Sequence, residues 1–194
     1  MPARSSLPRP FVLALALVSL LVAAPAHATP PERFSGRVAE ASWTRYDGDL
    51  AHIHTLSAFE TAEGHADVFL IIATYRCGDT CAFVRERMGD GTALAFELDK
   101  QLRDARLDGR VTLHRPDGSV VNRRLQLAWS DAGPMFRDRR TYRYHVDGDT
   151  AAQTERSRIR ITELTGSFGA HDVTTGGASG ILSSFASTSS GGVP

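Results

Sequence analysis

"SVVNRRLQLAWS", residues 119–130, alternates strictly. Val121, Leu125, Leu127 and Trp129 fall on one face with Arg123 among them, while Val120, Asn122, Arg124 and Gln126 take the other. A period of two marks a strand with one buried face, because successive side chains point to opposite sides of a sheet. Just before it, "RPDGSV" (115–120) reads as a turn. There Pro116 fixes φ, and Gly118 accepts the positive φ that a tight reversal needs.

The same pattern recurs on either side. In "TYRYHV" (141–146), Tyr142, Tyr144 and Val146 oppose Arg143 and His145. In "RSRIRITEL" (156–164), Ile159 and Ile161 oppose Arg158 and Arg160, so the arginines form one row on a single face; alternation alone leaves open whether that row meets solvent or another sheet. "ADVFLIIATY" (66–75) is apolar on both faces and reads as a central strand. Asp-Gly pairs begin at 47, 90, 108, 117 and 147, and this dipeptide is a strong hairpin signal. One pair is an exception. Ala105, Leu107, Gly109, Val111 and Leu113 keep phase through Asp108-Gly109, so that pair reads as a strand bulge.

Strands are therefore expected over 34–45, 50–59, 66–76, 82–88, 92–98, 105–115, 119–129, 140–146 and 156–164, with a turn or two of helix over "LDKQLRDA" (98–105). The fold class is all-β: an antiparallel β-sandwich, or a flattened barrel, of about eight or nine strands joined by tight Asp-Gly turns.

The ends read differently. Residues 1–28 combine Arg4 and Arg9, the apolar run "FVLALALVSLLVAA" and "AHA" at 26–28, the layout of a secretory signal peptide cleaved after Ala28. The run is shorter than the ~20 apolar residues that cross a bilayer, so no transmembrane span is expected. The expected location is extracellular or periplasmic. Residues 29–173 form the expected β domain. Residues 174–194 are mostly Gly, Ser and Thr and read as a loose tail, in which "ILSSFAS" (181–187) adds at most one edge strand.

Segments of this chain resemble a group of secreted bacterial β-rich proteins of unknown function. They are "VTLHRPDGSVVNRRLQLAWSDAGP" (111–134), "RTYRYHV" (140–146) and "GSFGAHDVT" (166–174), in that order. The likeness spans roughly residues 35–187 and rests on strand pattern and turn residues. It implies a secreted all-β domain and transfers no activity.

The only cysteines, Cys77 and Cys81, flank "GDT" after an apolar strand. In an oxidising compartment a disulfide across this hairpin is the default. A redox pair would need C-x-x-C opening a helix, and structural zinc would need two further ligands nearby. A free thiol pair is the remaining alternative.

Three further features suggest sites. His52 and His54 lie two apart, so on a strand both imidazoles share a face; a metal could use them with a third donor from His65, His114, His145 or Glu60. Asp47/Asp49 and Asp147/Asp149 suit calcium or, more simply, turns. Charge is segregated, with acids in excess over 32–100 and bases over 101–164, and Arg139, Arg143, Arg156, Arg158 and Arg160 concentrate on two adjacent strands. A row of guanidinium forks suits sulfate, phosphate or carboxylate groups, so an anionic polysaccharide or cell-surface polymer is the expected partner. The alternative is a solvated face whose charges discourage edge pairing. The whole chain has 22 basic and 22 acidic side chains, which gives no general attraction to nucleic acid. Neither G-x-S-x-G, H-E-x-x-H, a P-loop nor G-x-G-x-x-G occurs. The expectation is a binding protein without a required cofactor, the alternative being a metal-binding protein or metal-dependent hydrolase at His52 and His54.

Overall fold

The computed structural model describes residues 33–61, 65–115, 117–146 and 149–191. The expected signal peptide (1–28), the Asp147-Gly148 turn and the last three residues lie outside these. The strands are β1 (Arg33–Asp47), β2 (Leu50–Glu60), β3 (Ala66–Cys77), β4 (Cys81–Leu98), β5 (Ala105–His114), β6 (Val120–Val146), β7 (Asp149–Phe168), β8 (His171–Asp172) and β9 (Ala178–Gly191). Every pairing is antiparallel. Each strand from β1 to β7 pairs with the next; β7 then pairs with β9, and β9 with β1. One sheet thus closes on itself as an up-and-down barrel, with the two-residue β8 added beside β7. Closure removes the exposed edges that an open sheet would have to protect.

Inward-facing rows fill the barrel. Ala39, Ala41, Trp43, Leu56, Leu70, Ile72, Phe96, Leu107, Val111, Leu125, Leu127, Trp129, Leu164 and Leu182 form one buried cluster. Trp129 donates its indole N–H to the Glu40 carbonyl at 2.7 Å, which satisfies the one polar atom of that ring. It fits because Gly180 stands opposite: a Cβ there would collide with the indole and with Thr162 Oγ1.

Several expectations change in detail. Strands expected at 82–88 and 92–98 are one strand, β4, because Gly89 and Gly91 sit in the ladder under Val111, Leu113 and the Arg110 carbonyl. Asp90-Gly91 is therefore not a turn. Likewise 119–129 and 140–146 are both parts of β6. The irregularity expected at Asp108-Gly109 falls on the partner strand, between Ala93 and Ala95, while β5 runs straight. Turns do form at Gly48 (φ 60°) and Gly118 (φ 79°). The helix expected over 98–105 is absent. That segment is a tight loop in which the Asp99 carboxylate accepts the Gln101 and Arg103 N–H groups. The loop drives Leu102, at φ 57°, fully into one end of the barrel.

The largest correction is the tail. Residues 178–191 form a long strand between β1 and β7, and without it the ring would stay open. Two of its small residues make room for neighbours: Gly180 lies against the Trp129 indole, and Ser184 accepts a hydrogen bond from Arg158. Among the described residues no helix is long and apolar enough to cross a membrane. The outward rows of β5 and β6 carry Arg106, Asp108, Arg110, Asn122, Arg124 and Gln126, while those of β2, β3 and β4 expose Ile53, Phe59, Phe69 and Met88.

Candidate functional site

Beyond Met135, β6 leaves the barrel and runs with β7 and β9 as a projecting ribbon. Its register sets Met135 opposite Arg160, Arg137 opposite Arg158, Arg139 opposite Arg156, Thr141 opposite Thr154 and Arg143 opposite Ala152. Directly opposed residues share a face. Arg139, Arg143, Arg156, Arg158 and Arg160, singled out from the sequence, therefore all lie on one side, together with Arg137. That side continues the barrel's inward phase, because Arg158 and Arg160 step in twos to Thr162 and the buried Leu164.

On β7 it is the isoleucines that take the outward row. Ile159 and Ile161 are 41% and 50% exposed on the outer face. The phase is dictated by Leu164, not by the isoleucines. Tyr142 and Tyr144, on the face opposite Arg143, are exposed as well, at 37% and 46%. They stack on each other at 6.4 Å because the ribbon outruns the body that would have covered them.

Two of the arginines are committed to structure. Arg160 is nearly buried and pairs with Asp131 at 2.5 Å while donating to the Gly133 carbonyl. Arg158 donates to Ser184 Oγ and to the Lys100 carbonyl. By contrast, Arg137, Arg139, Arg143 and Arg156 are exposed and have no hydrogen-bond or ion-pair partner among the described residues. The ribbon's acids, Asp138 and Glu155, are in the other phase, where Asp138 holds Arg140 at 2.8 Å.

The histidines lie at the opposite end of the barrel, both facing inward. His54 is buried, stacked on Trp43 at 4.8 Å and met edge-on by Phe168 at 5.4 Å. Its Nδ1 lies 3.1 Å from the His52 carbonyl. Burial pushes its pKa down to about 4, so the ring is neutral near pH 7. His52 Nδ1 contacts Thr74 Oγ1 at 3.0 Å, and burial followed by the charges of Arg45 and Arg87 lowers its pKa. The third donors considered for a metal are elsewhere. Glu60 pairs with Arg37 at the far end, His114 with Asp90 on the outer wall, and His145 contacts Thr150 on the ribbon. Among the described residues no three His, Cys, Asp or Glu side chains are grouped to hold a metal ion. Asp47 and Asp49 face Arg45 and Arg76 at 3.9 and 3.1 Å.

Cys77 and Cys81 are bonded to each other and pair directly across the β3–β4 hairpin. The Cys77 N–H also reaches the Asp49 carbonyl at 2.7 Å, tying this hairpin to the β1–β2 turn.

Sequence reasoning passed over Arg45, Arg85, Arg87, Arg115 and Arg123, which surround the histidine end of the barrel. One signal was visible: Arg123 is in phase with Leu125, Leu127 and Trp129, and so must point inward. The fold is a closed antiparallel barrel with a group of arginines at each end. No family model, curated protein or solved structure matches this chain.

Proposed function

We propose that this is a secreted binding protein, not an enzyme, and that its partner is an extended polyanion, a charged polysaccharide or cell-surface polymer, laid along the inner face of the ribbon. The reading is carried by one observation: Arg137 opposes Arg158 and Arg139 opposes Arg156, with no carboxylate in that phase of the ribbon. Like charges directly opposite each other weaken a sheet. An anion between them reverses the sign of that interaction.

The spacing suits a repeating ligand. Residues two apart on a strand are roughly 6.8 Å apart, and opposed residues about 4.5–5.5 Å. The arginines therefore form a two-row grid instead of a single pocket. Thr141, Thr154 and Ser184 share the face and supply short hydroxyls between the forks. Binding of this kind is largely electrostatic and weakens as salt screens it.

The test is retention of the mature protein on an immobilised sulfated polysaccharide across a salt gradient, with double-stranded DNA as a parallel column. Early elution of Arg139→Ser/Arg156→Ser, with circular dichroism unchanged, supports the reading. Wild-type protein that flows through at low salt, or a double variant that elutes with the wild type, overturns it. Stronger retention on DNA than on the polysaccharide overturns the choice of partner.

A further inference from the structure

At the end of the barrel opposite the ribbon, the interior is open. A cavity of about 230 Å³ is lined by Arg45, Arg85, Arg87, Arg115 and Arg123. Its remaining wall is mostly apolar: Leu50, Ile72, Leu113, Val121 and Phe168, with His52 and His54 among them. We propose that this mouth is a binding pocket for a small molecule that joins a carboxylate or phosphate group to an apolar body.

The arginines come from three strands, β1, β4 and β6, and from the β5–β6 turn, and those on the strands converge because each sits in the inward phase. Arg45 is opposite His52, Arg85 opposite Thr74 and Arg87 opposite Ile72. Arg123 is opposite Val111. Such positions normally hold core side chains. Here they hold cations, and little on the protein neutralises them. Asp47, the one carboxylate in the lining, is 3.9 Å from Arg45. The nearby Asp117 is spent on its own turn, accepting the Ser119 N–H and hydroxyl at 2.9 and 2.6 Å.

The strain concentrates on Arg87. Its Nε is buried with no hydrogen-bond partner. Burial, then the charges of Arg85 and Arg115, hold its guanidinium below the usual arginine range. A buried donor left unpaired beside like charges is costly to the protein alone. An oxyanion supplies acceptor atoms and opposite charge at once, and a guanidinium fork matches a carboxylate or phosphate edge in two hydrogen bonds. A cleft lined by one sign of charge also concentrates such ligands.

Size narrows the class. Pockets that enclose drug-sized ligands span about 300–1,000 Å³, and this cavity is below that range. One step further along the inward rows of His54, Ile72 and Arg123 stand the fully buried Leu56, Leu70 and Leu125, which leave no room for a long acyl chain. A second depression of about 270 Å³ shares Arg45, Arg123 and Phe168 and continues past Gly169 and His171. It gives a bound molecule a shallow exit along the β7–β8 turn.

The two cationic ends are separated by the packed core, so they can fail independently. The experiment is isothermal titration of the mature protein with phenyl phosphate, benzoate and inorganic phosphate, repeated on Arg87→Met and Arg123→Gln. The ribbon double variant Arg139→Ser/Arg156→Ser serves as a control. The expected result is saturable binding of phenyl phosphate or benzoate, tighter than that of inorganic phosphate. Either mouth substitution should weaken it by about tenfold, the size of one lost charge-assisted hydrogen bond, and the ribbon variant should leave it unchanged. Preference between phenyl phosphate and benzoate identifies the headgroup. Three outcomes overturn the pocket: no saturable heat with any of the three, equal affinity for inorganic phosphate and both aromatic anions, or wild-type binding by folded Arg87→Met and Arg123→Gln proteins.

Discussion

Arg139 and Arg156 face each other across the β6–β7 ladder, two residue pairs beyond the like pair Arg137 and Arg158 and on the same face. A sheet selected only for stability would set a carboxylate or a threonine at one of these positions. Opposed like charges cost a few tenths to about 1 kcal/mol per pair. Replacing Arg139 with Thr should therefore raise the denaturation midpoint slightly while lowering the salt at which a polyanion column releases the protein. Opposite signs in these two measurements are the mark of a residue kept for binding. A fall in both would make Arg139 a structural residue.

His54 links the barrel's stability to pH. Its pKa is about 4 in the folded chain against 6.5 for the ordinary side chain, with burial the leading cause. The unfolded chain therefore binds the extra proton first as pH falls. Stability from this site is complete above about 6.5 and is lost progressively down to about 4, where the loss levels off. The full loss is roughly 3 kcal/mol at 1.36 kcal/mol per pKa unit. His52 shifts in the same direction and adds to the slope. Urea titrations at several pH values should show it, and His54→Phe, which keeps an aromatic ring against Trp43 and Phe168, should flatten the curve between pH 6.5 and 4.

The two halves of this picture differ in how visible they were in the sequence. Alternation around Trp129 reveals strands directly, because a side-chain period of two is a local property. Strand ends were less visible where glycine did two jobs. Gly89 and Gly91 look like punctuation, yet they are ladder residues left bare so that Val111, Leu113 and the Arg110 carbonyl can approach. Phase on β7 was not fixed locally, since Ile159 and Ile161 look like a core face until Leu164 and Phe168 set the inward row. Closure was not legible at all, because it depends on a glycine- and serine-rich strand finding partners more than a hundred residues away in β1. The mouth arginines were hidden for a related reason. Scattered from residue 45 to residue 123, they converge only once the ring has closed.

The Cys77–Cys81 bond closes a very short loop, so it removes little freedom from the unfolded chain. The chain-entropy relation gives about 2 kcal/mol for so small a ring, the low end for disulfides. Cys77→Ser/Cys81→Ser should therefore remain folded, with an unfolding free energy lowered by about that amount in urea titrations. Its effect should be felt at the mouth, because the Cys77 N–H holds the Asp49 carbonyl of the β1–β2 turn at 2.7 Å. Weaker phenyl phosphate binding in this variant, beside an intact ribbon, would locate the staple's contribution there.

Strand β9 supplies the sharpest structural prediction. Read as composition, residues 178–191 look expendable. In the fold they pair on both sides, from Trp43–Ala178 to Arg33–Thr188 with β1 and from Thr162–Gly180 to Ala151–Gly191 with β7. Truncation after Gly177 would leave two long unpaired edges and expose the Leu182 side of the core, a recipe for association instead of a shorter monomer. Size-exclusion chromatography and circular dichroism should report aggregation or loss of the β signal. A finer probe is Gly180→Ala, whose added methyl must displace Trp129 or Thr162 and should cost about 1–3 kcal/mol. Ser189→Ala, near the end of the same strand and on its outer face, should cost almost nothing. If Gly180→Ala proved as harmless as Ser189→Ala, the close packing of β9 against Trp129 would be wrong, and the closure of the barrel would fall with it.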